Sequence, residues 1–378
     1  MMTRSVSFVP TRANALDRAT GVDAARYSRT RNFLTGDVTR LSPYITHGLI
    51  SIPELLENIH ARRALSWQDK LAFEFGWREY FHHLWQRLGD DIWREQRAPP
   101  ASLYLDAVPE DIRTASTGVA IIDEQIRELY ATGYLHNHAR MWIASYVVHL
   151  RKVKWQAGAK WMYAHLLDGD LASNTLSWQW VAGTWTGKPY LFNAENVARY
   201  APGVDCTGSV IDTSYEMLDA IARSDKAALS PKLVANEPVK EPERFSSPPE
   251  TGPDTETAPV WLMHPWSLHL PDERPAIGVI NTNFHEAYPW SLLRWQWVMT
   301  AMRAGCPRII VGSTEELAAQ LSGANLSAIN TLNPFYNELL SRVAANVLPA
   351  PRAFGNPTMP KRSFTSFWNA ISREKFPV

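Results

Sequence analysis

Cysteine is scarce in this sequence, which has only Cys206 and Cys306 among its 378 residues. Two thiols are too few for a disulfide scaffold or for a four-thiolate metal site, and they predict a protein of the reducing cytoplasm. The first residues also lack the apolar core of a secretory signal peptide. No stretch reaches the roughly 20 apolar residues that a membrane-spanning helix needs. We therefore expect a protein that makes no use of a membrane.

An excess of charge of one sign is absent too, since 38 Lys and Arg residues balance 38 Asp and Glu residues. This balance excludes a histone-like polycation but leaves room for a local basic patch. One window, between Leu129 and Leu167, contains no acidic residue. It does contain five cations, which predict either an anion-facing surface or a solvated helix face: Arg140, Arg151, Lys152, Lys154 and Lys160.

Tryptophan, by contrast, is abundant, with 16 residues. Each indole ring can bury on the order of 200 Å² of surface, so most of these rings are expected in the core. The same abundance also suits a protein that holds a flat aromatic ligand or moves electrons between rings. Composition alone leaves both interpretations open.

The chain divides by composition into four regions. We predict an extended polar arm over 1–25, a helical domain over 26–225, a proline-rich linker over 226–259 and a small α/β appendix over 260–378. Apolar residues at spacings of three and four predict helices over 67–88 and over 121–150. Gly133 is expected to divide the second of these into two helices.

The appendix has the pattern of a βαβ unit. Short apolar runs at 260–263, 276–280 and 308–311 predict buried strands, and a helix over 289–303 is expected between the last two. A further helix is predicted after Ser313, and a closing helix over 363–371.

Four segments concentrate polar and aromatic side chains. In chain order they are TRLSPYITHG at 39–48, EFGWREYF at 74–81, YLHNHARM at 134–141 and DGDLASNTLSWQW at 168–180. The first could place hydroxyls and a cation at a helix amino end, which favours phosphate, or Ser42 could simply cap a helix ahead of Pro43. The fourth offers Asp168 and Asp170 either to the N–H groups of a heterocycle or to a hard metal ion.

The two middle segments are ambiguous when taken alone. In the second, Glu74, Trp77 and Arg78 share a helix face, as in an ordinary surface ion pair beside a buried ring. In the third, His136 and His138 are two residues apart and so lie on different helix faces, which argues against a metal site. Each segment is therefore weak evidence, and only their joint occurrence is informative.

Taken together, in this order and spacing, the four segments resemble the flavin-binding helical domain of the photolyase/cryptochrome family over residues 27–193. The resemblance implies a mainly α fold, consisting of a photolyase-like FAD-binding helical domain followed by the small α/β appendix. It implies FAD as the cofactor and no metal. The residues implied to bind FAD are Tyr27, Thr39, Arg40, Leu41, Ser42, Arg78, Arg140, Asp168, Gly169, Asp170 and Asn174, with Arg140 paired to Asp168 and Asn174 beside the flavin N5.

The resemblance also implies catalytic residues. The side chains implied to line a cavity for a flipped-out pyrimidine dimer are those of Glu74, Trp77, Asn137 and Met141. Trp178 and Trp155 match the first two members of an electron-transfer chain of tryptophans. The third member has no clear match, and Tyr104 is the nearest aromatic substitute.

Two functions follow from the resemblance. The first is light-dependent DNA repair of the deoxyribodipyrimidine photolyase type, in which light-excited reduced FAD passes an electron to a pyrimidine dimer and UV-damaged DNA is the partner. Arg31, Arg151, Lys152 and Lys154 are then the expected phosphate contacts. The alternative is a cryptochrome-like blue-light sensor without repair activity. An amino-terminal antenna domain is not expected, because the flavin motifs begin near residue 27, and the segment 194–200 departs from the family's DNA-facing loop.

Overall fold

The computed structural model describes residues 7–228, 259–306, 308–344 and 346–378. Most of the regular structure is helical. The helices are α1 (Arg12–Thr20), α2 (Ala24–Thr30), α3 (Ser42–Thr46), α4 (Ile52–His60), α5 (Lys70–Leu88), α6 (Glu110–Arg113), α7 (Ala120–Thr132), α8 (Asn137–Ser145), α9 (Trp155–His165), α10 (Leu171–Ala182), α11 (Ala194–Tyr200), α12 (Tyr215–Arg223), α13 (Thr282–Ala287), α14 (Leu292–Gly305), α15 (Thr314–Gln320), α16 (Tyr336–Val343) and α17 (Phe364–Ile371). The strands are β1 (Val260–Met263), β2 (Ala276–Asn281), β3 (Arg308–Gly312), β4 (Leu326–Ile329) and β5 (Asn346–Leu348).

The chain forms two compact units. Unit 1 consists of the described residues within Met1–Val22, Thr39–Glu79 and Glu241–Val378, and unit 2 of those within Asp23–Val38 and Tyr80–Lys240. The two units are defined by which residues lie close together in space. The four predicted domains are instead continuous regions of sequence, and they stay a prediction. The predicted linker lies mostly outside the described residues.

The extended arm predicted for residues 1–25 is wrong where the structure describes it, because residues 12–20 form helix α1. Thr11 caps this helix by accepting a hydrogen bond from the Asn14 amide. Ala15 and Ala19, one turn apart, are fully buried. Its buried residues are small and Leu16 is its one large apolar side chain, so the helix gives little apolar periodicity, and this is why the pattern was missed.

The helical pair predicted over 121–150 is confirmed in unit 2. α7 presents Ile122, Ile126 and Leu129 to the core and ends at Gly133, whose φ of +67° favours glycine. α8 follows and continues directly into a π-helix over Tyr146–Leu150. The predicted helix over 67–88 is likewise present as α5.

A parallel sheet in the order β3-β2-β1-β4-β5 forms part of unit 1. β1 and β2 are buried along their whole length, as expected for a parallel sheet. The predicted βαβ unit is confirmed, but two further strands, β4 and β5, were missed. They have four and three residues, and β5 is mostly exposed, so neither gives a clear apolar run.

The predicted closing helix is present as α17 and packs on α5 within unit 1. The closest approach is at Gly76, where a Cβ atom would lie 2.3 Å from Cζ3 of Trp368. Phe73 packs edge-on against the same indole, with ring centroids 5.3 Å apart. Glycine at position 76 is therefore what allows α17 to lie this close to α5.

Membrane-spanning helices and clusters of metal-ligating side chains can both be looked for among the described residues. No helix among them is both long enough and apolar enough to cross a membrane. They contain no group of three or more His, Cys, Asp or Glu side chains that could hold a metal ion.

Candidate functional site

The residues predicted to bind FAD are distributed over both units. Unit 1 contains Thr39, Arg40, Leu41, Ser42 and Arg78, and unit 2 contains Tyr27, Arg140, Asp168, Gly169, Asp170 and Asn174. Within unit 2, Tyr27 lies on α2, whereas Gly169 lies in the turn that joins α9 to α10.

The predicted pairing of Arg140 with Asp168 is present. Nη2 of Arg140 donates to Oδ2 of Asp168 at 2.7 Å, and its Nε donates to the Leu135 carbonyl at 3.0 Å. Burial opposes the charge on Arg140, but the Asp168 carboxylate more than compensates, so the pKa of Arg140 is raised. The two groups thus form a fixed ion pair beside the turn between α9 and α10.

Asp170 has two distinct contacts. Its Oδ1 accepts a hydrogen bond from the Ser173 amide at 2.8 Å and so caps α10. Its Oδ2 lies 2.8 Å from Nε2 of His82 on α5, which donates because a carboxylate only accepts. Sequence reasoning missed His82, since 88 residues separate the partners and no linear pattern connects them.

Two polar side chains at the start of α10 have unused hydrogen-bonding capacity. The Asn174 amide donates to the Ala159 carbonyl at 2.9 Å, and its Oδ1 has no partner among the described residues. Oγ of Ser173 is buried and likewise has no partner there. Buried polar atoms are normally paired. These atoms therefore fit the polar edge of a bound heterocycle such as a flavin.

The TRLS segment has a strained backbone and a cation without an ion-pair partner. Arg40 has a φ of +52°, a conformation that is uncommon outside glycine and that often marks functional sites. Its half-buried guanidinium forms no ion pair among the described residues, so an anion such as phosphate suits it. Of the two alternatives for Ser42, the helix cap is wrong, because the cap position of α3 is Leu41 and no side chain caps it; phosphate binding by Ser42 stays a prediction.

The residues predicted to contact a DNA lesion have ordered partners within each unit. In unit 1, Glu74 forms an ion pair with Lys70 at 3.1 Å, and Trp77 stacks on Phe364. The Trp77 and Phe364 rings are nearly parallel, at 8°, with centroids 4.0 Å apart.

In unit 2, the structure brings the other two predicted lesion contacts together. Nδ2 of Asn137 lies 3.4 Å from Sδ of Met141, one turn further along α8. Asn137 is exposed at the amino end of the helix. An amide and a thioether thus lie side by side, and a ligand bound there would have both a polar and an apolar partner.

The tryptophans predicted to carry electrons are buried in unit 2. Trp178 packs against Gly158 of α9, where a Cβ would lie 2.4 Å from Cζ3 of the indole, and Gly158 is one helical turn from Trp155. The ring of Trp155 stacks on Trp93 at 5°, with centroids 6.0 Å apart. Sequence reasoning missed Trp93, which is partly exposed at the end of a 3₁₀ helix. Tyr104, half-buried, stays a prediction.

The basic surface predicted between Leu129 and Leu167 is wrong for two of its members. Arg151 is fully buried and forms two hydrogen bonds to Asp111, at 2.7 and 3.0 Å. Lys152 is also buried and donates to the carbonyls of Ile221 and Ala222. The window itself contains no acidic residue, but the groups that bind these two cations come from other parts of the chain. Lys154 is exposed and paired with Asp106.

Three histidines of unit 2 are held in the neutral form. Burial lowers the pKa of His149 to about 4, although its hydrogen bond to the Val181 carbonyl opposes the shift. Burial also lowers the pKa of His165 to about 4, and burial together with Arg31 does the same for His138.

We therefore expect stability to fall as the pH drops from about 6.5 to about 4. The unfolded chain binds a proton at His149 more readily than the native state does, so protonation favours unfolding. The expected loss for this residue approaches ~3 kcal/mol at the acid end. Denaturant unfolding over this pH range measures it. His149→Gln keeps a donor for Val181 and cannot titrate, so a pH profile identical to that of the wild type would contradict the assignment.

A family model described as the FAD binding domain of DNA photolyase matches residues 71–240. Deoxyribodipyrimidine photo-lyase of Streptomyces griseus is 34% identical over 43% of this chain, and cryptochrome DASH of Ostreococcus tauri is 32% identical over 50%. In both cases the chain spans only 36% of the relative. The structure of a class III photolyase from Agrobacterium tumefaciens is 24% identical, covers 56% of this chain and 54% of its own, and has a TM-score of 0.46.

The family model names FAD as the ligand of the matched domain. Within unit 2, the open polar atoms of Ser173 and Asn174 fit that ligand. Residues 71–240 therefore match a photolyase-type FAD-binding domain, and the chain is similar to both photolyases and cryptochromes.

Proposed function

We propose that this photolyase-like flavoprotein repairs cyclobutane pyrimidine dimers in DNA in a light-dependent reaction. When bound, FAD would supply the light-driven electron transfer. The residues of the chain would stack on the extruded lesion, hydrogen-bond its carbonyls and keep water out. UV-damaged DNA is the proposed partner.

The observation that supports repair most directly is the stacked pair of Trp77 and Phe364. Phe364 covers one face of the half-buried indole and fixes its plane. A flat, preoriented ring is what an extruded base needs as a stacking partner, and it costs little conformational entropy on binding. This stacked pair therefore favours repair over a sensor function.

Glu74 is the proposed polar contact. In the free protein it forms an ion pair with Lys70 at 3.1 Å, in which the carboxylate accepts and the ammonium donates. The pair therefore provides one acceptor and one cation near Trp77, and the cation suits negative charge that develops on a lesion.

Glu74→Ala is expected to retain FAD and to lower the quantum yield of dimer repair by ~10-fold or more, since a hydrogen bond to a charged group contributes about 1.5–3 kcal/mol. Repair is measured by the loss of dimers from an oligonucleotide under blue light, using protein that has been chemically reduced beforehand. Glu57→Ala, which removes an exposed carboxylate of α4 in the same unit, is the matched control. Equal yields in the two variants would contradict the role of Glu74.

A cryptochrome-like light sensor is the second candidate, and the burial of Arg151 and Lys152 favours it. Both cations were expected to hold the DNA backbone, and both are engaged inside unit 2. The same repair assay separates the two functions. If reduced, illuminated wild-type protein leaves dimers intact in single- and double-stranded DNA, the photolyase proposal is wrong and the sensor is favoured.

A further inference from the structure

The indole nitrogen, which is the only polar atom of the Trp155 ring, forms a hydrogen bond to a carboxylate. The indole N–H of Trp155 donates to Oε1 of Glu95, with an N···O distance of 3.2 Å. Trp155 itself is 2% exposed, whereas Glu95 is exposed to water. An indole N–H can only donate, and an ionised carboxylate can only accept. The hydrogen bond therefore links a buried, oxidisable ring to a base that is in contact with solvent.

Charges around the stacked pair favour oxidation of Trp155 over oxidation of Trp93. The Lys160 ammonium lies 5.6 Å from the centroid of the Trp93 ring, where it would repel a cationic indole. The negative charge of Glu95 has the opposite effect on Trp155. Burial raises the pKa of the nearby Tyr104, so its phenol stays protonated and does not compete with Glu95 as a base.

We propose that Glu95 is the proton acceptor for oxidised Trp155. This inference rests on the proposed function, because FAD, when bound in its oxidised form and excited by light, would supply the one-electron oxidation of Trp178. Trp178 then takes one electron from Trp155. The Nε1–H bond of Trp155 breaks, and its proton forms an O–H bond at Oε1 of Glu95. The products are a neutral Trp155 radical and an uncharged carboxyl group.

A thiol reductant in solution completes the cycle. It returns one electron to the Trp155 radical, and the proton moves back from Glu95 to Nε1, so that both residues regain their starting states. Until then, loss of the proton hinders the return of an electron from Trp178 to Trp155, because a neutral radical is a weaker oxidant than its cation. Glu95 would thus prolong the separation of charge and raise the yield of reduction.

Glu95→Gln tests the proposal, since it keeps the length of the side chain and an oxygen acceptor but removes the base. Flash photolysis of the FAD-bound protein distinguishes the cationic from the neutral tryptophan radical by visible absorption. In the variant, conversion of the cation into the neutral radical is expected to slow by about 100-fold. Infrared difference spectra provide a second readout: a protonated carboxyl band forms in the wild type and is absent in the variant.

Glu124→Gln is the matched control, because it removes an exposed carboxylate from α7 of the same unit. Its radical kinetics are expected to equal those of the wild type. If tryptophan is oxidised but Glu95→Gln deprotonates at the wild-type rate, the role of Glu95 is wrong while the route through Trp178 stands. If no tryptophan is oxidised, the inference also fails. Chemically reduced wild-type protein needs no electron from Trp155 or Trp178 to repair DNA. The repair assay therefore tests the proposed function separately from this inference.

Discussion

Trp178→Phe is expected to slow light-driven reduction of the bound FAD by ~100-fold or more, for which a rise of only ~2.7 kcal/mol in the barrier is sufficient. A phenyl ring is far harder to oxidise than an indole. It also preserves most of the apolar volume packed against Gly158, so the fold should be retained. The measurement is bleaching of the visible flavin absorption under blue light in the presence of a thiol.

Trp161→Phe is the control for that experiment. Trp161 is equally buried in unit 2, but its indole N–H donates to the Tyr130 hydroxyl at 3.1 Å, and we assign it no role in electron transfer. Its variant should reduce FAD at the wild-type rate. A Trp178→Phe protein that is as fast as this control would remove Trp178 from the route.

The same assay tests whether a further ring follows Trp155 in the route. Trp93 stacks on Trp155, but Lys160 disfavours a positive charge on Trp93. Trp93→Phe is therefore expected to reduce FAD at close to the wild-type rate. Slower reduction in Tyr104→Phe would support Tyr104, the sequence-based candidate.

Asp111→Ala is expected to destabilise the protein by about 3–5 kcal/mol, because it leaves a buried charge without its partner. Arg151 is fully buried and is held by two hydrogen bonds to this one carboxylate. The guanidinium also donates to the Tyr146 hydroxyl at 3.2 Å, but this partner is neutral and does not replace the lost charge. The midpoint of denaturant unfolding measures the effect.

Asp219→Ala breaks an ion pair of the same chemistry on the surface. Its partner is Arg223, and the two side chains are 44% and 53% exposed. Such pairs contribute at most about 1 kcal/mol. A similar loss of stability in Asp111→Ala and Asp219→Ala would show that burial does not strengthen the Asp111–Arg151 pair.

The long helices and the βαβ unit could be predicted because their signals are local. α7 and α8 repeat apolar residues every three or four positions, with Gly133 between them, and β1 is a buried apolar run. The order of the sheet could not be predicted in the same way. β4 and β5 are defined by their pairing with neighbouring strands, and their short sequences carry little pattern of their own.

In the candidate site, too, residues within known motifs could be predicted, whereas residues brought together from distant segments could not. The Arg140–Asp168 pair followed from a family resemblance that links known positions. His82, Trp93 and Glu95 have no linear signal, because each acquires its role only when distant segments pack together. The predicted basic surface failed for a related reason: absence of acids from a stretch of sequence says nothing about acids that fold against it, and Asp111 is one of these.

The way unit 1 is assembled affects its synthesis on the ribosome. Its segments are far apart in the chain, and the indole N–H of Trp297 donates to the carbonyl of Phe8, 289 residues earlier. Most of unit 2 is the single segment Tyr80–Lys240, so it can fold while translation continues. Phe8 and Tyr44 of unit 1 are made earlier, and both must wait for Trp297 on α14. During that interval their apolar faces are exposed, and a nascent chain in this state is a natural client for chaperones.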